Sequence, residues 1–287
     1  MTAAVQARRV TRMRPRAKVA AGILGLFLVC AAIGPLLYPY DSVATSVADR
    51  LLPPGSALSE GGLAPLGTDQ LGRDVLAQVL DGARVSLLVA LATVLIGGFA
   101  GLVLGMLAGY FRGLTDTVIS RIGDIQLAFP SILLAILLAG VLGPSVLNVI
   151  IALAVTRWVI FARVVRGSAL ETRDREFVDS ARVLGVGHLR IMWRYIFPAC
   201  VQPLLVAATV QIGLTMVAEA ALSFLGLGVP VDQASWGATI ANGRDYLSSA
   251  WWIAAVPGLA LTIVVVCVGI LGDELRKVTD PSERERA

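Results

Sequence analysis

One histidine, three cysteines and two lysines are a thin supply of reactive groups for a chain of 287 residues. His188 has no cysteine or second histidine at metal-ligand spacing. Cys30, Cys200 and Cys267 each lie within or beside a long apolar run, where they read as small packing residues and not as a disulfide or metal set. A nucleotide-binding loop needs Gly-x-x-x-x-Gly-Lys-[Ser/Thr], whose lysine reaches the phosphates. Lys18 and Lys277, preceded by Ala17 and Arg276, lie in no such loop. A Gly-x-Ser-x-Gly nucleophile elbow is missing too. The expectation is a chain with no catalytic residue, no metal site and no cofactor of its own.

Ionisable residues inside apolar runs are the chemistry left to weigh, since each costs roughly 2.5–3.5 kcal/mol at the centre of a membrane helix. Asp124 follows Arg121 by three residues, so the two can pair on one helix face near the end of a run. Arg157 falls toward the basic end of the next run, from which a long side chain can snorkel. Glu219, in "TMVAEAALSF", is deeper. A lone acid there either makes structural hydrogen bonds or lines a pathway.

The stretch "EFVDSARVLGVGHLRIMWRYIFP", residues 176–198, is charged and helix-forming between two very apolar runs, and longer than a plain connection requires. Phe177, Val178, Ala181, Leu184 and Gly185 fall at i, i+1, i+4, i+7 and i+8, which predicts a short amphipathic helix with the small residues Ser180 and Ala181 at its middle. Gly185 and Gly187 suit its end, because glycine takes the left-handed conformation without a Cβ penalty. A second short helix is predicted with Leu189, Trp193 and Ile196 on one side, and Pro198 suits the first turn of the run that follows. Two roles fit this hairpin: an interfacial helix lying on lipid, or a knob that docks in a groove on a cytoplasmic partner.

The elements that must position these residues are membrane spans. The chain is 56% hydrophobic and 15% charged with a mean hydropathy of +0.79, against about 25% charge in soluble domains. Several apolar runs reach the roughly 18–20 residues that cross about 30 Å of hydrocarbon. The first covers residues 19–37 after a basic tail, too long for the core of a cleaved secretory signal and lacking its small-x-small site. Five more begin near Ser86, Val118, Val146, Cys200 and Trp251. Ahead of the second, Thr68 or Asp69 could cap a short amphipathic helix. Basic residues gather in the N-terminal tail, at Arg112 and Arg121, over residues 163–194, and at Arg276 and Lys277. Six spans with both termini inside place all of these clusters in the cytoplasm. The expected division is a cytoplasmic tail over 1–18, a six-helix membrane domain over 19–273 and a cytoplasmic tail over 274–287. An extracytoplasmic segment covers about 41–81, and the cytoplasmic hairpin about 167–198. Trp251 and Trp252 then sit at the outer interface. Gly97, Gly101, Gly105 and Gly109 recur every fourth residue on one face, where a neighbouring helix can approach closely, either within this chain or from another subunit.

In the hairpin, Asp179-Ser180-Ala181, then Gly185, then Tyr195-Ile196-Phe197-Pro198 keep the spacing of the cytoplasmic loop of ABC importer permeases, Glu-Ala-Ala, three residues, Gly, nine residues, Ile-x-Leu-Pro. The side chains depart from that pattern at four positions: Asp179 for Glu, Ser180 for Ala, Tyr195 for Ile and Phe197 for Leu. The stretches "PLGTDQLGRDVLAQVLDGARVSL", "AFPSILLAI", "AEAALSFLGLGVP", "SWGATIANGRDYL" and "LGDELRKVTDP" also resemble the C-type permease of dipeptide, oligopeptide and nickel importers. The Gly-Thr-Asp-x-x-Gly-Arg-Asp run over residues 67–74 is specific for that branch.

What the resemblance implies is an all-α membrane protein of type I ABC importer permease fold, in the inner membrane of a bacterium. It would pair with a B-type permease, two ABC ATPase subunits that bind ATP and Mg, and an extracytoplasmic substrate-binding protein. Lipid is its solvent and nucleic acid is no partner. Glu176, Asp179, Ser180, Ala181, Leu184, Gly185 and Val186 would couple the hairpin to the ATPase. The cargo implied is a di- or oligopeptide, with nickel chelates, glutathione or another small solute as the alternative. A self-contained secondary transporter would need a dense intramembrane charge relay or inverted repeats, and one deep acid is too few.

Overall fold

The computed structural model describes residues 14–38, 41–230 and 233–279. Helix α1 covers Pro15–Leu37, with proline in its first turn, where the missing N–H is no loss. Helix α2 covers Val75–Phe111, 37 residues and about 55 Å at 1.5 Å per residue. Helices α3 (Gly113–Leu127) and α4 (Ser131–Leu142) meet at a bend of 86°. Then come α5 (Val146–Arg173), α6 (Glu176–Val183), α7 (His188–Ile191), α8 (Phe197–Phe224), α9 (Trp236–Gly243) and α10 (Trp252–Thr279). Two short strands, β1 (Ser56–Ala57) and β2 (Leu63–Ala64), pair antiparallel between α1 and α2.

Among the described residues, five helices are long and apolar enough to cross a membrane singly. The third expected span is instead the α3–α4 pair, broken before Pro130, whose ring disfavours helical backbone at the residue before it. The packing of α2 on α5 makes that pair one crossing. Along α2, Gly97 faces Ala154, Gly101 faces Trp158 and Phe161, Gly105 faces Ala162 and Val165, and Gly109 faces Ala169. Residue numbers rise together, so α2 and α5 run parallel. The chain must therefore return from the Phe111 end to the Val146 end, and only α3 and α4 lie between. Of the two readings of the glycine stripe, this geometry holds the one within the chain: a Cβ at Gly105 would stand 2.5 Å from the Ala162 carbonyl oxygen.

One end of the bundle gathers the α1 start, the α2 end, the α6–α7 hairpin and the α10 end. Arg14 N–H donates to Glu274 Oε1 at 3.0 Å there, and Tyr110 on α2 meets His188 on α7. Both described chain ends thus lie at the hairpin end, as an even number of crossings requires. The opposite end holds residues 41–74, α9 and the start of α10.

Two elements start elsewhere than the sequence suggested. No separate amphipathic helix precedes the second span: the helix is continuous from Val75, and Asp74, not Thr68 or Asp69, is its cap, accepting from Ala77 N–H at 2.8 Å. Nor is the second hairpin helix a separate piece. A π turn over Met192–Ile196 joins α7 to α8. That turn sets the buried residues Ile191 and Ile196 five apart, the period of the π hydrogen bond. Leu189 and Trp193 consequently face outward while Ile196 faces in.

Candidate functional site

The hairpin end is built on one apolar cluster. Val178 and Ala181 of α6 are buried with Ile191, Met192, Ile196 and Cys200 against Tyr110, Val165 and Ala169 of the two parallel helices. Tyr110 is the keystone. Its hydroxyl lies 2.8 Å from His188 Nδ1, its carbonyl accepts from Arg173 at 2.5 Å, and the Arg182 guanidinium stands 5.6 Å from its ring centre. Helix α6 ends as expected of glycine at 185: Gly185 has φ +73°, its N–H donates to the Arg182 carbonyl at 2.9 Å, and Val186 N–H reaches back to the Ala181 carbonyl at 3.0 Å. These two bonds satisfy the last carbonyls of the helix.

The predicted coupling residues divide between the two faces. Glu176, Asp179, Ser180, Leu184 and Gly185 are exposed, and Val186 is half-buried. Asp179 pairs with Arg182 at 2.8 Å, and the Ser180 hydroxyl donates to the Glu176 carbonyl at 2.9 Å. Ala181 is turned inward onto the chain's own core and presents nothing to a partner. Amphipathic spacing could not reveal that split, because α6 has two apolar faces. The outward one is Val183 and Leu184, 88% and 81% exposed, with Leu189, Trp193 and half-exposed Phe177 beside them. A side chain placed at Gly185 meets nothing within 4 Å. A patch of this kind, uncovered in the chain by itself, is open either to a partner protein or to lipid.

Glu219 is fully buried on α8. Its two oxygens accept hydroxyls from Ser86 on α2 at 2.9 Å and from Ser223 one turn on at 2.7 Å. It therefore ties α2 to α8. Gln211, Thr215, Glu219 and Ser223 recur every fourth residue and are all buried, so α8 carries a polar seam through apolar surroundings. Toward the hairpin end that seam is unsatisfied: among the described residues Gln211 Oε1 and Thr215 Oγ1 have no hydrogen-bond partner, and neither has Thr93 Oγ1 on α2.

Two charged residues sit differently from expectation. Asp124 does not pair with Arg121 along its own helix but with Arg163 of α5 at 2.8 Å. Asp116 holds Arg166 through two bonds of 2.5 and 2.7 Å. The cross-helix partners win because α3 lays its polar side on α5 and turns Leu114, Val118, Ile122 and Ile125 outward. Arg157 lies farther from the basic end of its helix than expected. It is the twelfth of 28 residues in α5, which runs toward the hairpin, and it stands beside Gly97.

At the opposite end, the Gly67–Asp74 run is a latch. Asp69, fully buried, accepts from Leu71 N–H, Arg73 N–H, Arg73 Nε and Gln78 Nε2 at 2.8, 2.9, 2.7 and 3.1 Å. Gly72 has φ +77° and touches the Ser46 backbone so closely that no side chain fits. Trp252 Nε1 donates to the Thr68 carbonyl at 3.1 Å. Trp252 is thus buried in the latch, and only Trp251 of that aromatic pair is exposed.

Three comparisons bear on this arrangement. The family model described as "Binding-protein-dependent transport system inner membrane component" matches residues 101–285, and the "N-terminal TM domain of oligopeptide transport permease C" matches residues 3–54. The chain is 40% identical over 270 residues to a di/tripeptide transport system permease protein, DppC, of Pseudomonas aeruginosa, covering 93% of this chain and 88% of that one. It is 38% identical over 272 residues to the glutathione transport system permease protein GsiD of Pectobacterium atrosepticum, covering 94% and 88%. Among solved structures, a chain of the inward-facing MetNI methionine ABC transporter superposes with a TM-score of 0.60 at 20% identity, covering 71% of this chain and 97% of that one. An amino acid ABC transporter chain superposes with a TM-score of 0.53 at 16% identity, covering 72% and 94%.

Proposed function

The chain belongs to the family of binding-protein-dependent transport system inner membrane components, and we propose that it serves as the C-type permease subunit of an ATP-driven peptide importer. Its fold is that of the type I ABC importer permeases. The observation that carries the functional reading is the hairpin: an α6–α7 unit packed on the chain's own core, whose outer face is apolar and uncovered.

In this reading the hairpin end faces the cytoplasm, because the basic residues gather there. Val183, Leu184 and Leu189 enter a groove on an ABC ATPase, which supplies ATP and Mg. Movement of the ATPase is delivered through Val178, Ala181 and Tyr110 into α2 and α5 together, since both helices end on the hairpin core. The glycine stripe keeps those two helices as one body. The polar latch at the other end faces the binding protein that delivers cargo. A B-type permease completes the pathway, and two ATPases drive it. Peptides are the cargo because relatives named for peptide transport match along nearly the whole chain. The glutathione permease among the relatives keeps that tripeptide as the second candidate.

The test is reconstitution of the permease pair, the ATPases and the cognate binding protein in liposomes, with ATP inside. Uptake of a labelled dipeptide that requires ATP and the binding protein supports the assignment. Uptake of glutathione alone shifts the cargo, and ATP-independent uptake down a proton gradient overturns the class.

A further inference from the structure

We propose that Arg157, which reaches the Leu214 carbonyl of α8 one turn from Gln211, is a subsite for the carboxylate of the transported cargo, midway through the membrane. The proposal rests on the importer reading above and adds to it a chemical contact inside the permease.

Arg157 lies about 17 Å along α5 from Val146 and farther than that from Arg173, at a rise of 1.5 Å per residue. A guanidinium at such depth is expensive on a lipid-facing surface and is found against the bundle interior or a water-filled path. Elsewhere on α5 the arginines have acids: Arg163 has Asp124 and Arg166 has Asp116. Among the described residues, Arg157 has none. Its one hydrogen bond among these residues is a long one, Nη2 to the Leu214 carbonyl at 3.4 Å, and Nε is buried with no partner among them. A fork of five donors is thus almost unused, and the planar fork suits a carboxylate accepting two parallel bonds.

A second observation lies one helical turn away. Gln211, only 5% exposed, has an unpartnered Oε1 and lines a groove of about 600 Å³ between α5, α8 and the end of α10. That size is within the roughly 300–1,000 Å³ typical of small-molecule sites. Ile160 and Val164 line the groove from α5, and Arg157 stands on the same helix face one turn before Ile160. Leu214, whose carbonyl Arg157 reaches, stands one turn beyond Val210 on the groove wall. The groove runs from there to Asp273 and Arg276 at the hairpin end. A cargo carboxylate held by Arg157 would leave the rest of a small peptide along the groove, beside the unpartnered Gln211 amide.

The experiment uses the full complex in liposomes with a dipeptide carrying a free carboxylate. Arg157→Gln is expected to lower uptake at least tenfold, while assembly and ATP hydrolysis stimulated by loaded binding protein stay near wild type. Arg157→Lys is expected to keep a third or more of the uptake, because the charge remains. Uptake by Arg157→Gln within twofold of wild type overturns the subsite and leaves the importer reading standing. Absence of any dipeptide uptake by the wild-type complex overturns that reading and the subsite with it. Should Arg157→Gln fail to assemble, the wild-type complex decides: an arginine-specific dicarbonyl is applied with and without millimolar dipeptide, and modification of Arg157 is mapped by mass spectrometry. Protection by the dipeptide but not by its C-terminal amide supports a cargo site. Equal modification in all three samples, as an ion pair with the second permease would produce, overturns it.

Discussion

At the scale of single residues, the two faces of α6 call for different outcomes from similar changes. Leu184→Asp and Val183→Asp alter side chains that are more than four-fifths exposed, so insertion and thermal stability should remain near wild type. Transport and binding-protein-stimulated ATP hydrolysis should be lost, since a charge would be buried unpaired at the docking contact. Ala181→Asp buries its charge in the chain's own cluster instead and should lower the yield of folded protein before any coupling is measured. Arg190→Gln, at an exposed position, is the control and should change little. Equal transport by the Leu184→Asp protein and wild type would return the hairpin to an interfacial role. Asp74 gives a second contrast. Burial pushes its carboxyl above the ordinary value, against the downward pull of Ala77 N–H and the Tyr38 hydroxyl. The neutral isostere should therefore hold the α2 cap: Asp74→Asn is expected to melt close to wild type, and Asp74→Ala to lose about 1 kcal/mol.

At the scale of elements, the contact that matters most is α2 on α5. Gly101 and Gly105 meet backbone and Cβ atoms of α5 at distances that leave no room for a side chain. Gly101→Leu or Gly105→Leu should force the helices apart and reduce recovery of the assembled complex, since overpacking a close crossing costs about 1–3 kcal/mol even in tolerant cores. Gly140→Leu on α4, where a Cβ would meet nothing within 4 Å, should be recovered normally. Size-exclusion yields of the three proteins decide the matter, and normal recovery of Gly105→Leu would show that the crossing is looser than its geometry.

At the scale of the whole molecule, the even number of crossings puts the hairpin and both described chain ends on one side and residues 41–74 on the other. With Cys30, Cys200 and Cys267 replaced by alanine, Glu60→Cys and Arg190→Cys place single thiols at exposed positions on the two sides. An impermeant maleimide should label the first in intact cells and the second only after permeabilisation. Labelling of both in intact cells would break the topology.

Much of this was legible in the residues alone, and the reason is the solvent. Lipid demands uninterrupted apolar helices, so the spans, the charged hairpin between them and the end of α6 at Gly185 follow from local composition and from the backbone freedom of one glycine. The glycine stripe likewise announces a close crossing, though not with which helix. What the tertiary structure decided are matters of partnership. Asp124 had Arg121 within reach along its helix, yet it pairs with Arg163 because α3 lies polar side down on α5. Trp252 looked interfacial and is buried by the Thr68 carbonyl. The third span is bent by 86°, and a π turn takes Ile196 off the outward face that Leu189 and Trp193 share. Ala181 and Leu184, one turn apart, point to opposite fates for the same reason: which apolar face is covered depends on where Tyr110 and Val165 arrive, from residues far along the chain. The depth of Arg157 belongs with these, since counting along a run says little until the packing of α2 and α5 sets where α5 begins and how far it continues toward the hairpin.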